Sequence, residues 1–579
     1  MKLKYLFASV LCIASITGST AQEEKTIKLR IIETSDVHGC FFPYNFIERN
    51  EAKGSLARVS SYVNKLRREY GKNVILIDNG DILQGQPSCY YSNFVATDKP
   101  NIVSKIYNYM GYDAATFGNH DVEPGHTVYD KWVGEVDCPI LGANIIDTST
   151  GLPYVKPYTI IERDGVKVAV LGMLTPAIPN WLENKIWSGL KFEDIELSAK
   201  KWIAYLKKNE KPDVIVGLFH SGWDGGIVTS EYKEDAAKAT AENVDGFDII
   251  FFGHDHRARK AEVNSPSGKN VLCLDPSNNA INVSDAEIVI TKKNGKVVGK
   301  SISGDVKDIT GEPVDEEYVK HFANDIEEVK KYVGQKIGVM GKTMYTRDSF
   351  FGSSMFIDLV HNLQLQITKA DISFNAPLQF NATIKEGPLY MSDMFKLYRY
   401  ENKLCVLRMT GEEIRRHLEM SYDLWVNTMK DKDDHIMLLD KRNTTDMQKF
   451  GFKNMTFNFD SAAGINYVVD VTKPDGEKVK ILSMANGKKF DPNKWYNVAM
   501  NSYRANGGGE LLTKGAGIPK EELQKRKVYE SDRDLRYYLA EEIRKKGKIS
   551  PKANNNWRFV PENWTKQALQ RDRELLFGK

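Results

Sequence analysis

"FDIIFFGHDH", Phe247 to His256, runs an apolar, partly β-branched segment into a glycine and then sets two of the chain's ten histidines on either side of an aspartate. The same phrase recurs upstream in "IKLRIIETSD" (from Ile27), "NVILIDNGD" (Asn73), "DAATFGNHD" (Asp113), "KVAVLGMLTP" (Lys167) and "DVIVGLFHSG" (Asp213). Continuous apolar runs of strand length suit strands buried on both faces. Helical patterns lie between them, such as "SLARVSSYVNKLRREYG", which stops at Gly71. The expected architecture over residues 26–310 is a layered α/β domain.

Each of five strand-like runs ends in residue types that bind metals: Asp36 and His38, Asp81, Asn119 and His120, His220, and His254 with His256. In a layered α/β sheet, residues just past the carboxyl ends of the strands converge on one crevice, so positions far apart in sequence become neighbours. Seven of them, Asp36, His38, Asp81, Asn119, His220, His254 and His256, supply nitrogen and oxygen donors of the kind that hold two divalent ions, with Asp81 the natural bridge. If "DVH" and "HDH" are extended, alternation puts Asp36 with His38, and His254 with His256, on one side and turns Asp255 away.

A chain of 579 residues, 41% hydrophobic, can bury more than one core. The formal charge of +3 predicts neither nucleic-acid nor membrane-surface binding, and no obligate protein partner is implied. Residues 1–21 read as a cleaved secretory signal: Lys2 and Lys4, an apolar run from Leu6 to about Ile16, then small residues to Ala21. No later apolar stretch reaches the about 20 residues that a membrane helix needs, so a secreted or periplasmic protein is expected. A lipid anchor at Cys12 is disfavoured because Leu11 precedes it. Cys40, Cys89, Cys138, Cys273 and Cys405 read as free thiols, with one disulfide as the alternative.

Apolar residues at three- and four-residue spacing from Tyr318 to Ile337 predict a helix linking two domains (311–337); an ordinary helix within one domain is the alternative. Over 338–562, helical "GEEIRRHLEMS" mixes with strand-like "KLCVLRMT" and "INYVVDVT", an α+β pattern. Residues 563–579 read as a surface tail.

The ordered set "SDVHG", "NGDILQG", "FGNHDVE", "FHSGWD" and "GHDH" resembles the calcineurin-like metallophosphoesterases, and specifically the secreted 5'-nucleotidase family, over nearly the whole chain. The resemblance implies one metal (Zn, Mn or similar) on Asp36, His38, Asp81 and His256, and a second on Asp81, Asn119, His220 and His254. His120 matches the family's catalytic histidine. Glu123 stands where many relatives carry Asp within "GNHEFD", and it could orient His120; Asp121 is the competing partner. The fold implied is a metallophosphoesterase domain followed by a smaller substrate-binding domain.

For substrate, the family's "NGGGIR" phosphate segment is replaced by "NAPLQF", Asn375 to Phe380, with Phe380 at the arginine's place. The segments around "NAPLQF", "YRYEN" and "NSYRANGGG" are more similar to the 2',3'-cyclic-nucleotide 2'-phosphodiesterase/3'-nucleotidase branch. There Tyr400 and Tyr503 fall on the base-stacking positions, with Asn375 and the Gly507 to Gly509 turn near the nucleoside. Three functions follow: hydrolysis of nucleotides or cyclic nucleotides, hydrolysis of another phosphoester or a sulfur ester, and nucleotide binding without turnover.

Overall fold

The apolar runs of the first half become two six-stranded sheets stacked face to face. A computed structural model describes residues 24–440 and 451–578, so the expected signal sequence, residues 1–21, lies outside the described residues. One sheet orders its strands Lys296–Asp308, Asn282–Lys293, Glu24–Thr34, Val74–Asp78, Ala114–Thr116 and Ile140–Leu141. The other orders Arg259–Asn264, Asn270–Asp275, Ile249–Phe252, Val214–His220, Val166–Leu174 and Tyr158–Arg163. The central strands of each are parallel; antiparallel strands close both edges of the second sheet and one edge of the first, whose other edge, Ile140–Leu141, pairs parallel. Strand alternation sends Leu29 and Ile31, with Val214, Val216 and Leu218, into the core between the sheets. The residues between them, such as Ile32, Ile215 and Phe219, meet helices on the outer faces, including Leu56–Tyr70 and Ile195–Asn209. Both faces of the strands are thus buried, as their unbroken hydrophobicity requires. Because the central strands run parallel, their carboxyl ends open on one edge of the sandwich.

The expected linker helix is two helices, Glu316–His321 and Ala323–Val333, broken at Phe322. Tyr318, Phe322, Ile326, Val329 and Val333 pack into the first domain's helix–sheet core, while Tyr332 also packs against the cluster that holds Ile337 and Phe395 of the second domain.

The second domain is built on a five-stranded sheet ordered Ser461–Ala463, Ile372–Asn375, Trp495–Asn501, Lys403–Thr410 and Lys527–Asp534. The strand Lys403–Thr410 passes directly into the helix Gly411–Trp425 through a capping box, in which Thr410 Oγ1 accepts Glu413 N–H and the Glu413 carboxylate accepts Thr410 N–H. Near the C-terminus the structure corrects the expectation of a surface tail. Glu562–Phe577 is a helix that buries Ala568 and Asp572 and packs Leu569, Leu576 and Phe577 onto the domain core. Its amphipathic spacing is masked in sequence by charged neighbours. Asp572 accepts N–H groups from Ile436 and Met437, which ties the helix to a distant loop.

The two domains touch through side chains of both. Tyr90 of the first sits edge-on to Phe395 of the second at 5.6 Å and donates its hydroxyl to Asp534 at 2.9 Å. Glu183 pairs with Lys527, and Lys185 with Glu530. Cys40, Cys89, Cys138, Cys273 and Cys405 are free thiols.

Candidate active site

The loops that leave the parallel strands cross at close range, and the candidate ligands sit on them. Five of the seven are held at positive φ: Asp36 (51°), His38 (47°), Asp81 (56°), His254 (79°) and His256 (59°). This corrects the expectation that "DVH" and "HDH" are extended. Each is a tight turn just past its strand, and the left-handed backbone rather than alternation turns the side chains inward. Such strain persists only where the surroundings over-determine it. Here Asp36 N–H and His38 N–H donate to the carbonyls of Gly80 and Asp81, each at 3.0 Å, so one loop is laced to the next. The glycine of "FGNHD" follows from the same crowding. A Cβ on Gly118 would lie 2.1 Å from Asp81 Oδ1.

The donor atoms of Asp36, His38, Asp81 and His256 lie within 4.8 Å of one another, and so do those of Asp81, His220 and His254. His38 Nε2 is 3.1 Å from His256 Nε2 and 3.8 Å from Asp81 Oδ2. His256 Nε2 is 3.2 Å from Asp36 Oδ1, a buried oxygen without a well-formed hydrogen bond. His220 Nε2 is 3.3 Å from Asp81 Oδ2 and 3.2 Å from Asn119 Oδ1. Buried imidazoles and carboxylates aimed at common points, rather than at donors and acceptors of their own, fit a divalent cation. The outer nitrogens support this: Nδ1 of His38 faces the Gln84 carbonyl at 3.2 Å, and Nδ1 of His220 the Asn79 carbonyl at 2.7 Å. A proton held there leaves Nε2 with a free lone pair.

Charge tells the same story. Burial drives His38 down to about 3, which keeps it neutral, as a ligand must be. On His220, burial is outweighed by Asp81 and Asp36, which draw it up to about 9. On His254, Glu234 and Asp235 do the same. Asp81 lies well below the usual carboxylate range: burial pushes it up, and His220 and His120 more than reverse that. The pocket's carboxylates demand positive charge, which bound cations would supply in place of protons.

His120 stands at the rim. Its main-chain N–H donates to Asp81 Oδ1 at 2.8 Å, and its ring Nδ1 is 2.6 Å from Glu123 Oε2. Asp121, the competing partner in sequence, is occupied elsewhere. Its carboxylate accepts four main-chain N–H groups, from Asp81, Ile82, Leu83 and Gly118, at 2.7 to 2.9 Å, and so fixes the loop that carries Asp81.

From the second domain, the Tyr400 ring lies parallel to that of His120, with 6.3 Å between centroids and 10° between planes. Tyr503, on the short helix Ser502–Ala505, meets Phe457 edge-on. Arg504 holds this segment through a buried pair with Asp460 and a bond to the Phe457 carbonyl. Asn375 ends its strand buried, and its Oδ1 has no partner among the described residues. Phe380 joins an aromatic cluster, 4.6 Å from Phe577 and 5.8 Å from Phe350. Its role is packing.

Family models match in the same order. Residues 29–258 fit the calcineurin-like phosphoesterase family and residues 333–514 the 5'-nucleotidase C-terminal domain. The chain carries a calcineurin-like phosphoesterase domain followed by a 5'-nucleotidase C-terminal domain. It is 27% identical to the 2',3'-cyclic-nucleotide 2'-phosphodiesterase/3'-nucleotidase of Haemophilus influenzae, over 96% of this chain and 90% of the relative. Its fold is shared with a 5'-nucleotidase precursor of Thermus thermophilus (TM-score 0.63, 18% identity, 93% of this chain and 100% of that one). The sulfate thiohydrolase SoxB of the same organism also has it (TM-score 0.58, 16% identity, 93% and 97%). The fold alone therefore does not select the ester.

Sequence reading missed several residues of this phosphoesterase site. Glu234 and Asp235 crowd His254 Nε2 at 3.1 and 3.9 Å, and the Asn278 amide lies 3.1 Å from His256 Nδ1. "SEYKED" carries no motif that marks them. They reach the site because a hairpin of Gly225–Val228 with Lys233–Asp235 folds back over the loop after His220.

Proposed function

We propose that this phosphoesterase hydrolyses 2',3'-cyclic nucleotides and nucleoside monophosphates outside the cytoplasm, after removal of residues 1–21. Asp36, His38, Asp81 and His256 would hold one divalent cation, Zn or Mn in character, and Asp81, Asn119, His220 and His254 a second. Such cations acidify an attacking water and neutralise charge on the phosphoryl oxygens. His120 donates Nδ1–H to Glu123, which leaves its Nε2 side for the phosphoryl or leaving oxygen, where a positioned donor lowers the barrier. Tyr400 and Tyr503 would stack the base, and Asn375 would contact the nucleoside through its unpartnered amide oxygen.

The observation that carries this reading is the approach of Tyr400 to His120, which sets an aromatic platform of one domain beside the phosphate chemistry of the other. A π-face accepts any base, as a scavenging enzyme needs. The similarity to the Haemophilus influenzae enzyme over most of both chains supports the cyclic-nucleotide assignment.

The test is a panel of 2',3'-cyclic AMP, 3'-AMP, 5'-AMP, p-nitrophenyl phosphate and a sulfate-thiol ester, assayed before and after chelation and after return of Mn2+, Zn2+ or Co2+. Nucleotide turnover that chelation abolishes and metal restores is expected. Full activity in chelated protein would refute the cation mechanism. Turnover of only the sulfur ester would refute the substrate, and binding without turnover would refute the enzyme.

A further inference from the structure

His254 is anchored differently from the other candidate ligands. His38 and His220 each turn Nδ1 outward onto a main-chain carbonyl and present Nε2 to the centre. On His254 it is Nε2 that faces away, 3.1 Å from Glu234 Oε1. The His254 main-chain N–H is fixed to Asp36 Oδ2 at 3.0 Å, and its ring lies 5.3 Å, centroid to centroid, from that of His220.

Glu234 is built to stay where it is. Its second carboxylate oxygen accepts Ile227 N–H at 2.6 Å across the hairpin. Its main-chain carbonyl accepts the hydroxyls of Ser221 at 2.7 Å and Thr175 at 3.1 Å, which ties it to the loop that follows His220. Gly226, at φ +61°, lets the carboxylate close onto the hairpin; a Cβ there would lie 2.7 Å from Glu234 Oε2. Neighbouring Asp235 is the weaker candidate. It stands 3.9 Å from the same histidine nitrogen, and its Oδ1 accepts Gly222 N–H at 3.1 Å.

We infer, resting on the two-cation reading, that Glu234 is a positioning residue for the second cation. It accepts Nε2–H of His254 and so presents Nδ1, rather than Nε2, as that histidine's ligating atom. A carboxylate in this outer place fixes the tautomer and makes the imidazole a better donor. The hairpin thereby becomes part of the metal centre, and the glycines of "DGGIVTSEYKED" serve its closure.

The experiment counts metal rather than turnover. Full-chain wild type and Glu234→Gln are dialysed against graded free Mn2+, and bound Mn2+ is measured by emission spectroscopy. Glutamine keeps the shape and an acceptor oxygen but removes the charge. One of two binding midpoints should rise by about 10- to 100-fold, with the other within about twofold and the Tm of the EDTA-treated proteins equal. Gly226→Ala, which displaces the carboxylate without touching a ligand, should shift the same midpoint in the same direction; it serves where the glutamine variant folds poorly. Two unchanged midpoints would overturn the inference. So would equal shifts of both with a lowered metal-free Tm, which mark a structural role, or one Mn2+ missing at saturation, which marks Glu234 as a ligand itself. Fewer than two equivalents in wild type would overturn it through the two-cation reading on which it rests, before any variant is measured.

Discussion

Glu123→Gln isolates the charge that orients His120. The two side chains are 2.6 Å apart and largely buried, 26% and 13% exposed, so the contact is a short, charge-assisted hydrogen bond. Bonds of this kind contribute about 1.5–3 kcal/mol, and glutamine retains the length and an acceptor while removing the charge. If that energy is expressed in the transition state, kcat should fall by about 10- to 150-fold, since each 1.36 kcal/mol is about tenfold. KM should move little, because Glu123 acts through its hydrogen bond to the histidine. The assay is kcat for 3'-AMP alongside bound metal by emission spectroscopy. A kcat within about threefold of wild type, or a lost metal equivalent, would refute the orienting role. Asp121→Asn is the control. Its carboxylate braces three main-chain N–H groups of the Asp81 loop and that of Gly118, so its damage should appear in Tm and metal content. A fall in kcat with metal and Tm intact in Asp121→Asn, joined to no effect in Glu123→Gln, would reverse the assignment.

Three further expectations follow from the geometry. Asp81→Ala should lose more activity and more metal than His38→Ala, since Asp81 belongs to both donor groups; equal metal content in the two variants would argue against a bridge. Replacing Tyr400 and Tyr503 together by alanine should lower kcat/KM for 2',3'-cyclic AMP by about tenfold or more, mainly through KM, and spare p-nitrophenyl phosphate. Equal losses on both substrates would mean that the tyrosines support the domain junction. In the second domain, buried His361 lies between the hydroxyls of Ser373 and Ser461, at 2.9 and 3.1 Å, and burial drives it down to about 3. The unfolded chain titrates near about 6.5 and binds the extra proton between these values, so stability is present above that window and falls as pH drops into it. By pH 5 the loss should be about 2 kcal/mol. Denaturant titrations of wild type and His361→Gln over that range check this, and an identical slope in both would refute it.

What could be read from the chain alone is what period and order carry. Six apolar runs with polar ends specify parallel strands buried on both faces, and parallel strands place their ends together, so Asp36, His38, Asp81, Asn119, His120, His220, His254 and His256 were legible as one site. The helix Gly411–Trp425 and the strands Lys403–Thr410 and Ile465–Asp470 were legible for the same reason, their local pattern matching their environment. Only the tertiary structure decided matters that depend on contacts between distant segments. The ligand loops turn through positive φ because neighbouring loops lace them there, which alternation along one strand cannot reveal. Glu123 rather than Asp121 meets His120 because three N–H groups of the Asp81 loop and that of Gly118 already claim Asp121. The helix Glu562–Phe577 docks because a partner surface exists for it, although its own sequence is largely charged. Glu234 reaches His254 only after a hairpin folds back across the site. A carboxylate in "SEYKED" looks like any solvated charge until the residue it faces is known.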